Sequence, residues 1–190
     1  MPLWKRSTLF LFCLGVPAIA ASSSQGIQNF HQVDDHVYRG AQPDEKGFEY
    51  LASLGVKTVI DLRSSEERSD REERAVTAAG MKYIHIPMTG LTPPTDSELA
   101  KILGILEDST AGPVFVHCKR GADRTGAVIA AYRIDHDGWD NRKALSEAMS
   151  LEMSPHQHPR QNFIQTFRPR TIQSSSIPAN GDPSPAVAIQ

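Results

Sequence analysis

The sequence predicts an α/β fold: a single domain whose central, mostly parallel sheet is flanked by helices on both faces. Three observations carry that reading. Short β-branched runs alternate with amphipathic segments of helical spacing from residue 33 to about 167. The central strand-like runs are nearly continuous in apolar residues, as in a sheet covered on both sides. A glycine-containing segment, 117–126, separates the last such run from an apolar helix, and open α/β sheets hold ligands at that end of their strands.

The elements follow in order. Residues 33–39 read as a first strand, and Pro43 and Asp44 open a helix to about residue 54. A β-branched strand spans 57–62, an exposed helix 70–79 closed by Gly80, and a further strand 81–87. Leu99, Ile102, Leu103 and Leu106 recur at helical spacing, which places an amphipathic helix over 96–107. Residues 113–117 form the buried strand that feeds the glycine-containing segment. An apolar central helix spans 126–136, and an amphipathic one 141–153.

A chain of 190 residues is long enough for one core. Its first twenty residues read as a signal peptide: Lys5 and Arg6 form a basic start, 9–16 an apolar stretch, and Ala18-Ile19-Ala20 a small-x-small cleavage site. That stretch is too short for a permanent span. Phe10, Leu11 and Phe12 before Cys13 argue against lipidation, so no stable membrane anchor is expected after cleavage. Residues 21–30 read as a flexible segment, 31–168 as the domain, and 169–190 as a disordered tail rich in Ser, Pro, Ala and Gly. Losing Lys5 and Arg6 takes the formal charge from −2 to −4. No basic field for nucleic acid remains. Cleavage also leaves Cys118 as the sole cysteine, with no partner for a disulfide in an oxidising compartment.

The segment Val116-His117-Cys118-Lys119-Arg120-Gly121-Ala122-Asp123-Arg124-Thr125-Gly126 carries the chemistry. Gly121 and Gly126 permit tight turns and close approach. Backbone N–H groups converging at a helix N-terminus form an anion site, and Arg124 suits bidentate capture of a phosphate. Electropositive surroundings favour the thiolate of a cysteine, which makes Cys118 the candidate nucleophile. Lys119, Arg120, Gly121, Ala122, Asp123 and Gly126 complete the candidate phosphate cradle. His117, adjacent to Cys118 on a strand, points to the other face.

His-Cys, five residues, then Arg-Thr-Gly resembles the signature loop of cysteine-dependent protein tyrosine phosphatases. Residues 33–167 are similar to their dual-specificity branch, and specifically to bacterial periplasmic phosphatases of the TpbA type. Val37-Tyr38-Arg39-Gly40-Ala41-Gln42-Pro43, the 55–63 strand, Tyr132-Arg133-Ile134 and Gly138-Trp139-Asp140 are further anchors. The resemblance implies an exported phosphatase, periplasmic or secreted, acting on phosphotyrosine and also phosphoserine or phosphothreonine of proteins through a cysteinyl-phosphate. It implies a role for Thr125 in assisting thiolate stabilisation and intermediate breakdown. No metal or cofactor is required.

The family also implies an aspartate proton donor on the loop before the helix that precedes the catalytic strand. Here that stretch is Pro87-Met88-Thr89-Gly90-Leu91-Thr92-Pro93-Pro94, without a carboxylate. Asp96 is the nearest candidate, and its competing role is in the first turn of a helix with a Thr95-x-x-Glu98 capping box. Asp123 reads rather as an orienting group for Arg124 or the loop backbone. Asp61 and Arg63 read as structural buttresses, Glu66 to Arg74 as a solvated mixed-charge face, and His156-Gln157-His158 as surface loop. Lys119 and Arg120 keep open a phosphoinositide or inositol polyphosphate substrate, which Asp123 disfavours by cancelling charge. The missing acid keeps open a catalytically weak phosphate-binding regulator.

Overall fold

Five strands pair in the spatial order β1 (His31–Gln32), β2 (Val37–Ala41), β5 (Val114–Cys118), β3 (Thr58–Asp61) and β4 (Lys82–His85). Only the β1–β2 edge is antiparallel; the other neighbours are parallel. The computed structural model describes residues 26–67 and 70–170. The expected signal peptide, residues 21–25 and the expected tail from 171 lie outside the described residues. Six α-helices occur among them: α1 (Glu45–Ser53), α2 (Asp70–Ala78), α3 (Asp96–Leu106), α4 (Asp123–Asp135), α5 (Asn141–Ser150) and α6 (His158–Thr166). No helix of the described residues is long and apolar enough to cross a membrane.

The period of two along β5 sorts the core into two layers. Val114, Val116 and Cys118 face a cluster with Leu99, Ile102, Leu103 and Leu106 of α3 and Val128, Ile129 and Tyr132 of α4. Phe115 faces the opposite cluster, with Phe48 and Leu51 of α1 and Val76 of α2. Helices therefore cover both faces. A third cluster joins Ala127, Ala130 and Ile134 of α4 to Ala144 and Ala148 of α5 and Ile164 of α6. Helix α4 is buried around most of its circumference because it lies between the sheet and these two outer helices, where its small residues allow close packing.

Three local expectations are corrected. The single strand at 33–39 is instead a small hairpin, because the Asp34 carboxylate accepts from the His36 and Val37 amides and closes a turn. Residues 26–30, placed in the flexible segment, belong to the fold: Ile27 is 2% exposed in the α1–α2 cluster. Residue 170, placed in the tail, is tied down by ion pairs from Arg170 to Asp135 and Glu107. The stretch read as surface loop at 156–158 is exposed at His156 and His158, and it leads into α6, a helix not expected from the sequence, which has proline in its first turn and buries Arg160 and Ile164 one helical turn apart.

Candidate active site

Cys118 ends β5 and is 2% exposed. From there the chain turns over Lys119–Ala122 into α4. Gly121 makes that turn possible twice over: its φ is +69°, and a Cβ there would lie 2.3 Å from the Gly40 carbonyl carbon and 2.4 Å from the Ala41 nitrogen. The loop is thus pressed onto the end of β2. Arg39, on β2 and 1% exposed, donates from Nη2 to the Gly121 carbonyl at 2.7 Å, and Asn29 adds a longer bond to the same oxygen, 3.3 Å. Burial pulls the Arg39 guanidinium down to about 10, still cationic at neutral pH. It places a fixed positive charge near Cys118.

Arg124 lies in the first turn of α4 and is 8% exposed. Its Nη1 donates to Glu67 Oε2 at 2.6 Å and to the Met88 carbonyl at 3.4 Å. Burial alone would lower the guanidinium; the Glu67 bond and the proximity of Cys118 raise it instead. Cys118 is within hydrogen-bonding reach of the same guanidinium. Glu67 and Met88 engage Nη1, and a guanidinium held at one nitrogen can still offer the others to an anion. The Glu67 carboxyl is held down at about 2, chiefly by its bond to Arg124. Ser64 braces it through its backbone amide at 3.2 Å and its hydroxyl at 3.3 Å.

Beneath the loop, on the α2 face, lies a buried charge network. Arg63 forks onto Asp61, with Nε at 2.9 Å from Oδ1 and Nη2 at 2.6 Å from Oδ2, and its Nη2 also reaches Glu72. Tyr83 donates to Asp61 at 2.7 Å and Gln42 to Glu72 at 3.0 Å. His117 stacks on Phe115, and its Nε2 lies 3.0 Å from Glu72 Oε1. Burial would raise the Asp61 carboxyl; the Arg63 bonds, the neighbouring His117 ring and the Tyr83 hydroxyl outweigh it and hold it far below the usual range. Asp61, Glu72 and His117 bring ligand atoms within 4.8 Å of one another. Arg63 and Tyr83 already engage the carboxylates, so the donor set fits an ion-pair network better than a metal.

The solvated charge face expected over 66–74 is therefore corrected at two positions. Glu72 is 4% exposed, and Glu67 reaches into the site. Glu72 carries a readable signal: with Val76 it sits at i and i+4, the inward stripe of α2. Glu67 carries none, because its partner is 57 residues away. Arg39 and Arg160 were likewise assigned no role from sequence.

The rim above the loop is formed by residues 87–94. Arg160, 0% exposed on α6, donates from Nη1 to the Gly90 carbonyl at 2.8 Å and from Nη2 to the Thr89 carbonyl at 2.7 Å. Desolvation lowers the Arg160 guanidinium, and Asp123, Arg124 and Cys118 lie near enough to influence it. Asp123 does not touch Arg124. Its Oδ2 pairs with Arg120 and its Oδ1 accepts from the Ser154 amide at 2.8 Å, so it ties the loop to the α5–α6 connection. Lys119 and Arg120 are exposed, and Ala122 is 1% exposed at the N-cap position of α4.

Thr125 is fully buried, and its Oγ1 finds no hydrogen-bond partner among the described residues. Gly126 lies inside α4 with Met153 Cε 3.0 Å from a notional Cβ. It serves close packing of α4 against the connection after α5, so the turn expected there is corrected. Asp96 opens α3 and is exposed. The capping is done by Thr95 and Glu98, and among the described residues no hydrogen bond or ion pair engages the Asp96 carboxyl.

A cysteine closing the central strand of a parallel sheet, an arginine six residues on and a helix N-terminus between them define the architecture of the cysteine-dependent phosphatases. A family model described as "DSP-PTPase phosphatase fused to NAD+ Kinase" matches residues 14–166, and the chain belongs to this dual-specificity phosphatase family. It is 33% identical over 132 residues to "Dual specificity protein phosphatase TpbA" of Pseudomonas aeruginosa, covering 69% of this chain and 57% of that protein. The chain thus spans little more than half the length of this curated relative. "Inositol diphosphatase DSP3" of Arabidopsis thaliana is 28% identical over 143 residues, covering 73% and 70%. Among solved structures, P. aeruginosa TpbA superposes with a TM-score of 0.65 at 25% identity, covering 80% of this chain and 97% of that one. The catalytic core of the PP-IP phosphatase SIW14 of S. cerevisiae, in complex with citrate, gives 0.68 at 25%, covering 78% and 90%.

Proposed function

We propose that the protein is an exported phosphatase that hydrolyses phosphotyrosine, and more slowly phosphoserine or phosphothreonine, in proteins. The observation that carries this is the Cys118–Arg124 pair at the end of β5, with Arg124 steered from the side by Glu67 and the loop pinned by Arg39. In this reading the Cys118 thiolate attacks phosphorus while Arg124 and loop amides hold the equatorial oxygens. The phosphorus–oxygen bond to the aryl group breaks as the S–P bond forms. Asp96 donates the proton to the departing oxygen, its carboxyl being left unengaged by the capping box. Water then attacks the thiophosphate and restores Cys118, with Thr125 donating its unpaired hydroxyl toward the sulfur. A relative solved with phosphotyrosine, a TpbA variant 26% identical to this chain, supports the substrate class.

The test compares mature wild type, Cys118→Ser and Asp96→Asn on para-nitrophenyl phosphate and a phosphotyrosine peptide. Turnover by wild type that Cys118→Ser abolishes supports the thiolate route. An Asp96→Asn loss of about 10²-fold on the peptide, and far less on the activated ester, supports Asp96 as acid. A second reading, an inositol diphosphatase, is favoured by the absence of a carboxylate from 87–94, since an anhydride's phosphate leaves more readily than an alcohol. The inositol diphosphatase relatives support it; the pairing of Arg120 with Asp123 weighs against it, by removing one cation from the polyanion field. Export rests on the amino-terminal sequence, and fractionation of cells expressing the full chain tests it.

A further inference from the structure

Two buried arginines near the loop, Arg63 and Arg39, are partnered very differently. Arg63 forks onto Asp61 and reaches Glu72, so its charge is balanced inside the protein. Arg39 bonds no carboxylate among the described residues: Nη2 donates to the Gly121 carbonyl, while Nε and Nη1 find no hydrogen-bond partner. Its Nη2 lies 3.9 Å from a notional Cβ on Gly126, in the opening turn of α4. That is the positive end of the helix dipole, an unfavourable place for a cation. Glu147 and Cys118 are the groups that offset its burial, and Glu147 is already bonded to Arg133 at 3.0 Å. A buried cation in such surroundings lowers stability unless an anion balances it, and proteins keep such costs where a site needs them.

The bond to Gly121 also sets a direction. In a trans, planar peptide the N–H points opposite to the C=O, and no described peptide bond is cis. Arg39 and Asn29 draw the Gly121 carbonyl towards themselves, so the Ala122 amide points away from them. Ala122 is the N-cap residue of α4, and no side chain caps this helix, which leaves its first amides free for an anion. We propose that Arg39 is a positioning residue of the anion site: it aims the Ala122 amide at the bound anion through the Gly121–Ala122 peptide, and its unbalanced charge is compensated when Cys118 is a thiolate or the loop holds a phosphate. The proposal rests on the phosphatase reading above for the identity of the anion. Arg39 thus favours the loaded site and disfavours the empty one.

The test compares wild type, Arg39→Met and Arg39→Lys in three measurements: melting temperature without phosphate, the dissociation constant for inorganic phosphate, and the rate at which iodoacetamide alkylates Cys118 near neutral pH. The proposal expects Arg39→Met to melt no lower than wild type, because an unbalanced buried charge is gone. It expects that variant to bind phosphate about tenfold more weakly and to be alkylated about threefold to tenfold more slowly. Arg39→Lys keeps the charge but lacks the fork, so alkylation stays within about twofold of wild type while phosphate binding remains weakened. Arg124 and Arg160 stay near the sulfur in every variant, as do Glu67 behind Arg124, the Arg120–Asp123 pair and the His117–Glu72 pair on the other face. An Arg39→Met variant that melts lower or fails to fold, or that binds phosphate as wild type does, would overturn the proposal. So would slowed alkylation that lysine does not restore. Wild type that binds phosphate but hydrolyses no peptide removes the phosphatase reading and leaves this test standing; wild type that binds no phosphate overturns both.

Discussion

The floor and the rim of the site are both held by buried arginines, but for different ends. On the floor, Arg39 pins the loop that runs from Cys118 to α4, with Gly121 pressed against Gly40 and Arg124 in the first turn of the helix. At the rim, Arg160 fixes a loop that carries no ionisable side chain at all between Pro87 and Pro94. In the proposed reading, charge on the floor holds the phosphate end of the substrate, while the rim carries no charge of its own. The difference separates two jobs in the proposed reading: the floor supplies the charge that holds a phosphate, and the rim supplies a braced wall without charge.

The comparison can be broken most severely at the floor. Cys118→Ser should lower turnover on every substrate by roughly 10⁴-fold or more while retaining phosphate binding, read by phosphate protection against thermal unfolding. Gly121→Ala should cost about 3 kcal/mol, because its Cβ would overlap the β2 backbone and its φ is positive; the melting temperature should fall by roughly 6–12 °C. At the rim, Arg160→Met should reduce phosphotyrosine turnover by about tenfold, since three of its bonds, to Thr89, Gly90 and Gln157, disappear. Amide exchange at 89–92 should quicken in that variant, and unchanged exchange would contradict the bracing.

A smaller effect sharpens the link between the two regions. Glu67 holds Arg124, and its carboxyl is depressed to about 2 from an ordinary 4.5. A depressed carboxyl contributes stability that is complete above pH 4.5 and lost as the pH falls towards 2. Glu67 is partly exposed, so screening discounts the gain to about 1 kcal/mol. Unfolding free energies measured from pH 5 to 2.5 should fall more steeply in wild type than in Glu67→Gln by that amount. The same variant should lose about threefold to tenfold in kcat as Arg124 gains freedom.

The floor was legible in the sequence because its determinants are local. Cys118, Gly121 and Arg124 stand within seven residues, bounded by a β-branched strand and an apolar helix, and those periodicities also placed β3, α1, α3 and α5 within a few residues. The supports were not legible because they are distant in sequence. Glu67 meets Arg124 across 57 residues, Arg39 meets Gly121 across 82, and Arg160 meets Thr89 across 71. A charge on an exposed-looking run carries no mark of the arginine it will meet. Helix α6 was missed for a related reason: its inward face opens with Arg160, a residue that hydropathy assigns to solvent. Glu72 and the 26–30 segment show the intermediate case, where an inward stripe or a lone Ile27 was present but outweighed by polar neighbours.

The central claim is that Cys118 is the phosphoryl acceptor. Acid quenching of wild type during turnover of a phosphotyrosine peptide, followed by peptide mass analysis, tests it directly. The account predicts phosphate covalently attached at Cys118 alone, absent from Cys118→Ser and accumulating when Thr125→Ala slows its breakdown. Sustained turnover with no phosphorylated Cys118, or with phosphate on another residue, would contradict it.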